Sequence, residues 1–336
     1  MNEEKGLKQE IIALGKKLYH LRLVVARGGN LSSQIDADTI LITATGVSLG
    51  ELTEEDIIKI NLMNPVNQTN KKFSTEFPLH SMIYKNFPEI NRVIHCHPPL
   101  TNAYFAVHDD LDILTFETRL FLGKIPVVKQ ITPNVTNPEE VIAALKLNNL
   151  VAIKNHGVVS MGENFSEALF LVESLEEAVK MSGVARLFKK EALSPFEEVL
   201  KKELFVDTTL PREMFSWLHI QAIVDLVNQD EILARLGNEL DLTVAVAIEL
   251  KGEIKKAYTF HFEKGKIIKV EPKVTAPWVI SAAPEIWKEV FLGRLDPFVA
   301  TTQKKMELSG ELSQLARWYV PFSRLFEIFR QVKINY

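Results

Sequence analysis

The chain contains a single cysteine, Cys96. One thiol forms no intrachain disulfide, so the fold must rest on packing, and the chain suits a reducing compartment. Long apolar runs are also missing. No stretch approaches the ~20 residues that span a bilayer. The N-terminal Met1-Asn2-Glu3-Glu4-Lys5-Gly6 is charged and lacks the apolar centre of a secretion signal. These absences set the expectation of a cytoplasmic protein without a membrane span. An excess of basic charge is absent too: Lys and Arg number 39 against 43 Asp and Glu, for a net charge of -4. No basic run interleaved with aromatics appears, so nucleic acid is not an expected partner.

What is present is the make-up of an ordinary globular chain, 46% hydrophobic and 24% charged. At 336 residues it is about twice a typical domain. We place a first domain at residues 1–190, a Lys-rich linker with Pro195 at 191–208, and a second domain at 209–336.

Hydrophobic periodicity orders the first domain. Ile11, Ile12, Leu14, Leu18, Leu21 and Val25 predict a helix over 3–27, stopped at Arg27-Gly28-Gly29-Asn30. Strands follow at Leu31–Ile35 and Thr39–Thr43. Thr53-Glu54-Glu55-Asp56 reads as a helix N-cap with acid three residues on. Thr75-Glu76-Phe77-Pro78 opens a helix through Tyr84, with proline suited to its first turn. Strands are expected at Val93–His97, Ile125–Lys129 and before His156. Helices are expected at Glu139–Leu147 and Phe165–Phe188. In the second domain, Pro211–Leu240 reads as one or two helices. Leu242–Leu250, Ala257–His261 and Lys266–Val270 read as strands, with Glu263-Lys264-Gly265 a hairpin turn. Helices follow at Pro284–Leu292 and Pro297–Lys304.

The chemistry concentrates in histidine. His95 and His97 close the run Arg92-Val93-Ile94-His95-Cys96-His97. A strand repeats every two residues, so both imidazoles face one side, where they can share a metal ion. His156, in Lys154-Asn155-His156-Gly157, follows a second apolar run. Three histidines at strand ends suit a catalytic zinc-type site with an open position. His20, His80, His108, His219 and His261 each stand alone and read as structural. Cys96 alternates to the face opposite the histidines and reads as a small core residue.

Residues 8–185 resemble the class II aldolase/adducin family, above all its fuculose-phosphate aldolase branch. The resemblance rests on Gly29-Asn30-Leu31-Ser32, Ile42-Thr43-Ala44-Thr45-Gly46, Glu51-Leu52-Thr53-Glu54-Glu55-Asp56, Ser74-Thr75-Glu76, His95-Cys96-His97-Pro98 and Asn155-His156-Gly157. It implies an α/β fold, a mixed sheet flanked by helices, assembled as a homo-tetramer. It implies that His95, His97 and His156 bind Zn²⁺, a site that another divalent transition metal could also fill. It makes Glu76 the general base and gives a substrate phosphate to Gly29, Asn30, Thr45, Gly46, Ser74 and Thr75. The implied substrate is a small phosphorylated ketose, cleaved to dihydroxyacetone phosphate or built from it. Glu76 favours aldolase over the related epimerases, which carry aspartate there. Dehydratase and decarboxylase activities stay open as alternatives. One departure stands out: the branch's proton-donating tyrosine has no counterpart in Leu114-Thr115-Phe116-Glu117.

The second domain resembles the sterol carrier protein type-two fold, a smaller α+β unit around an apolar tunnel. The likeness rests on Phe291-Leu292-Gly293-Arg294-Leu295-Asp296-Pro297-Phe298, on Lys304–Glu311 and on element order. It implies an apolar ligand, with a lipid carrier bearing a regulatory aldolase-like domain as the alternative overall function. The aromatic side chains there also serve simply as a core. The apolar Tyr319–Val332 suits a docking helix.

Overall fold

A computed structural model of the chain describes residues 2–65, 72–130, 135, 138–188, 211–252, 255–310 and 315–335. The linker expected at 191–208 lies outside the described residues. The chain divides into two compact units, Met1–Ala192 and Leu193–Tyr336.

The first unit opens with α1 (Asn2–His20), which buries Leu7, Ile11, Leu14 and Leu18 at helical spacing. The helix is shorter than its periodicity predicts. Leu23 N–H donates to the Leu18 carbonyl at 2.9 Å, and Arg22 N–H donates to Tyr19 at 3.1 Å. Arg22 takes the left-handed angle, φ 59°, usually left to glycine in this closing turn. Ending there lets Leu23 and Val24 turn inward and bury.

A three-strand meander follows: β1 (Asn30–Asp36), β2 (Thr39–Thr43) and β3 (Ile57–Asn61). The helix expected from Thr53 is a single 3₁₀ turn, Glu54–Asp56. Its capping box forms between Thr53 and Asp56, but the chain then extends at once. The β-branched Ile57-Ile58-Lys59-Ile60 decides this: Ile58 and Ile60 bury on one face at a period of two.

Next come α2 (Phe77–Asn86), β4 (Arg92–Cys96), α3 (Pro99–Val107), α4 (Phe116–Leu122), β5 (Val127–Lys129), α5 (Pro138–Leu145), β6 (Leu150–Lys154), β7 (Gly157–Gly162) and α6 (Phe165–Phe188). The sheet order is β3-β2-β1-β4-β7-β6-β5, antiparallel except for β5–β6. Strand β4 is central. Its Ile94 and Cys96 enter one core with Leu18 of α1 and Leu175 of α6. Its Val93 enters the other, with Ile83 of α2 and Val141 of α5. A Glu176 carboxylate from α6 accepts from the Leu100 and Thr101 N–H groups and the Thr101 hydroxyl. That anion at the start of α3 fixes the turn directly after His97.

The second unit is α+β. It contains β8 (Arg212–Glu213), α7 (Trp217–Gln229), α8 (Glu231–Glu239), β9 (Val244–Leu250), β10 (Lys256–Glu263) and β11 (Lys266–Glu271). Then come β12 (Trp278–Ala282), α9 (Pro284–Phe291), α10 (Pro297–Thr302), β13 (Glu307–Ser309), α11 (Tyr319–Phe329) and β14 (Ile334–Asn335). Its main sheet runs β11-β10-β9-β12-β13, with β9 and β12 parallel. Helix α11, expected as a docking element, is instead buried in its own unit, with Tyr319, Phe322, Leu325, Ile328 and Phe329 inward. Its Arg324, 1% exposed, pairs with Asp230. Among the described residues no helix is long and apolar enough to cross a membrane.

Candidate metal centre and active site

The site forms where β4, the β6–β7 turn and the start of α2 meet. His95 lies on β4, opposite Asn30 of β1 on one side and Val159 of β7 on the other. His97 follows β4, anchored by its N–H to the Leu23 carbonyl at 3.1 Å. His156 sits in the tight turn between β6 and β7. There Asn155 takes φ 61°, an angle asparagine tolerates better than most residues. Gly157 is required by close approach: a Cβ there would lie 2.5 Å from His97 Cδ2 and from the Cys96 carbonyl. Sequence reading took Gly157 only as part of a motif; its crowding against both histidines is visible only in three dimensions.

The ligand atoms of His95, His97 and His156 all lie within 4.8 Å of one another. Nε2 of His97 is 2.9 Å from Nε2 of His95. Glu76 joins them from the N-terminus of α2, with Oε1 3.0 Å from His156 Nε2 and Oε2 3.2 Å from His95 Nε2. The carboxylate is 4% exposed.

The protonation pattern tests whether a metal fits. His95 Nδ1 lies 3.0 Å from the Val158 carbonyl, which accepts its proton. In a neutral ring Nε2 is then bare, and its lone pair points at a carboxylate oxygen. Burial pushes His95 below its usual range and His97 down to about 3, so both rings are neutral at ordinary pH. Burial raises the Glu76 carboxyl, but the hydrogen bonds it accepts from His156 and Asn30 oppose this and hold the group below the usual carboxylate range. The bare His95 nitrogen beside this anion, with the His97 and His156 nitrogens in reach, suits a cation among them. Three imidazoles with a carboxylate are a zinc-type donor set, and an outer hydrogen bond such as His95 to Val158 is what orients such a ligand.

Four of the six predicted phosphate residues, Thr45, Gly46, Ser74 and Thr75, fall on two adjoining segments. Ala44 and Phe73 form a bridge, Thr45 N–H donates to Lys72 and Ser74 N–H donates to Thr43. Ser74 Oγ also accepts from the Glu76 N–H at 3.2 Å. Gly46, φ 73°, faces open space, and Thr45 and Thr75 are exposed. Gly29, φ 81°, backs onto the His95 carbonyl. Asn30 is committed inward, donating to Glu76 Oε2 at 3.1 Å. Glu117 is exposed in the first turn of α4. Cys96 lies on the opposite sheet face, in the core, and burial pushes its thiol up.

Residues 9–182 match the family described as the class II aldolase and adducin N-terminal domain. The chain belongs to this family. An L-fuculose phosphate aldolase of Methanocaldococcus jannaschii is 34% identical over 183 residues, which is 54% of this chain and 99% of that protein. A 3-oxo-tetronate 4-phosphate decarboxylase of Pectobacterium atrosepticum is 30% identical over 54% of this chain and 85% of that protein. A crystal structure of L-fuculose-1-phosphate aldolase from Thermus thermophilus superposes with a TM-score of 0.50 at 25% identity. It covers 56% of this chain and 97% of that one. The expected mixed sheet between helices is thus the family's, and both aldolases and decarboxylases stand among its relatives.

Proposed function

We propose that the chain is a metal-dependent aldehyde-lyase that breaks or makes a carbon–carbon bond in a small phosphorylated ketose, with dihydroxyacetone phosphate as the three-carbon fragment. The observation that carries this reading is the meeting of His95, His97 and His156 with the buried Glu76 carboxylate. The three histidines hold Zn²⁺, which when bound supplies Lewis acidity toward a carbonyl and its neighbouring hydroxyl. Glu76 takes the proton from the hydroxymethyl carbon in the synthetic direction and returns it after cleavage. Oε2 accepts from Asn30, and Oε1 faces His156 at 3.0 Å and the Val135 N–H at 3.4 Å, so the carboxylate is oriented through both oxygens. Substrate phosphate is held by the Thr45, Ser74 and Thr75 hydroxyls and by backbone N–H groups at Gly29 and Gly46. Asn30 contributes through Glu76. The protein works in the cytoplasm as a homo-tetramer. Exposed Phe116, Phe170 and Val184 supply apolar surface for contacts between copies.

The test is release of dihydroxyacetone phosphate from ketose 1-phosphates such as fuculose 1-phosphate, by the zinc-loaded protein and by the same protein after chelation. Metal-dependent release is expected. Carbon dioxide release from a phosphorylated 3-oxo acid, without ketose cleavage, would move the function to the decarboxylase reading. The Pectobacterium relative and the missing tyrosine favour that alternative.

For the second unit we propose an apolar ligand. An apolar cavity opens between the β9–β10–β12 sheet and helices α10 and α11, lined by Val246, Phe260, Ile280, Phe298, Phe322 and Phe326 among others. That apolar, aromatic lining suits an aliphatic group such as a fatty acyl chain. Ile280 is only partly buried, so Ile280→Trp can fill the mouth without unfolding the unit. A fluorescent fatty acid should bind the wild type and lose at least tenfold in affinity, about 1.4 kcal/mol, to Ile280→Trp. Unchanged affinity would place any ligand elsewhere.

A further inference from the structure

A line of buried polar side chains runs inward from Glu76. Asn30 Nδ2 donates to Glu76 Oε2 at 3.1 Å, Asn30 Oδ1 meets His80 Nε2 at 2.5 Å, His80 Nδ1 meets Ser32 Oγ at 2.6 Å, and Ser32 Oγ meets Tyr84 Oη at 2.7 Å. His80 and Ser32 are wholly buried, and Tyr84 and Asn30 nearly so. The catalytic scheme above uses none of them beyond Asn30.

The donors assign in one direction only. A carboxylate accepts, so the Asn30 amide must turn its NH₂ to Glu76 and its carbonyl to His80. That carbonyl needs a proton on His80 Nε2. The ring is neutral, because burial takes His80 down to about 3, so Nδ1 is bare and accepts from Ser32. Ser32 in turn accepts from Tyr84. Every donor therefore points toward Glu76, and each bond polarises the next. Turning Asn30 over would set its carbonyl against the carboxylate and its NH₂ against a ring N–H.

We propose that His80 is a positioning residue: by donating from Nε2 to Asn30, it fixes the Asn30 amide as a donor to Glu76 Oε2. This holds the Glu76 carboxylate in one orientation for proton transfer. The His80 ring bonds Asn30 and Ser32 and reaches the Glu76 carboxylate through the Asn30 amide. The proposal rests on Glu76 being the base.

The test reads proton transfer directly. In D₂O, Glu76 removes a proton from the hydroxymethyl carbon of dihydroxyacetone phosphate and returns a deuteron, so a C–H bond is replaced by C–D and the signal is lost from the ¹H NMR spectrum. The zinc-loaded full chain is compared with His80→Gln, His80→Asn and His80→Leu. Glutamine sets its amide nitrogen near the position of Nε2 and keeps the donor to Asn30. Asparagine reaches only as far as Nδ1. The expected result is exchange within about threefold of wild type for His80→Gln, and kcat for exchange lower by about 10- to 100-fold for His80→Asn and His80→Leu, the range found when groups that orient a reactive side chain are removed. KM and bound zinc should stay near wild type. If His80→Leu does not fold, the Gln and Asn variants decide the matter. Equal exchange in all four proteins, equal loss in Gln and Asn, or loss of zinc in the Asn variant would each overturn the positioning role. Absence of exchange in the wild type would overturn the base role of Glu76 and this proposal with it.

Discussion

Glu76→Gln is expected to lower kcat for both cleavage and deuterium exchange by about 10²- to 10⁴-fold, the range attributed to a positioned acid–base group. The substitution keeps the shape of the side chain. Its carbonyl can still accept from Asn30, and its NH₂ falls where Oε1 now faces His156 at 3.0 Å. Buried volume and the start of α2 are therefore preserved. What is lost is the anion. An amide takes no proton from carbon, so the chemical step suffers while the phosphate contacts proposed at Thr45, Ser74 and Thr75 are untouched, and KM should change little. Three measurements separate the roles: exchange rate, product release and zinc per chain. A fall in zinc content matching the fall in rate would make Glu76 chiefly a metal ligand. Full activity in Glu76→Gln would remove it from the mechanism.

How much of this was legible in the sequence depended on whether a feature is local. The His-x-His strand, the long α6 and the Glu263-Lys264-Gly265 hairpin are each set by residues within one element. In the hairpin, Lys264 at φ 49° and Gly265 at φ 85° supply the left-handed pair that a tight turn needs. The end of α1 was not legible, because Arg22 takes its left-handed angle where Leu23 and Val24 must bury, and nothing in its own chemistry demands it. The capping box at Thr53 was real but did not make a helix, since the sheet claimed the isoleucines after it. The link from His80 to Glu76 was not legible either. Alone in sequence it reads as a structural histidine. Its partners Ser32 and Asn30 lie 48 and 50 residues away, on a strand that becomes its neighbour only after the sheet forms. Asn30 was found by motif and assigned to phosphate; its link to Glu76 spans 46 residues. A glycine-asparagine motif marks the position without saying which way the amide faces.

His95→Ala is expected to abolish tight zinc binding and, with it, activity above background. The argument starts from burial. His95 is 1% exposed and central to the cluster: its Nε2 lies 2.9 Å from His97 and 3.2 Å from Glu76, and its ring stacks on His156 at 4.8 Å. Alanine removes one of three imidazoles and also leaves the Val158 carbonyl without the ring N–H it accepts from. An unpaired buried group of that kind costs about 1–3 kcal/mol, so some loss of stability is expected whatever the metal does. Zinc separates the two effects. A ligand that binds only the folded state stabilises it by RT ln(1 + [L]/Kd), about 2.7 kcal/mol at one hundred times Kd. Zinc should therefore raise the melting temperature of the wild type and not that of His95→Ala, on top of any baseline drop. Cys96→Ala is the matched control. It alters the next residue of the same strand, on the sheet face turned away from the histidines, and should keep the full zinc-dependent rise. A zinc-dependent rise in His95→Ala equal to that of the wild type would mean that the metal sits elsewhere, and the proposed Lewis acid would lose its place in the mechanism.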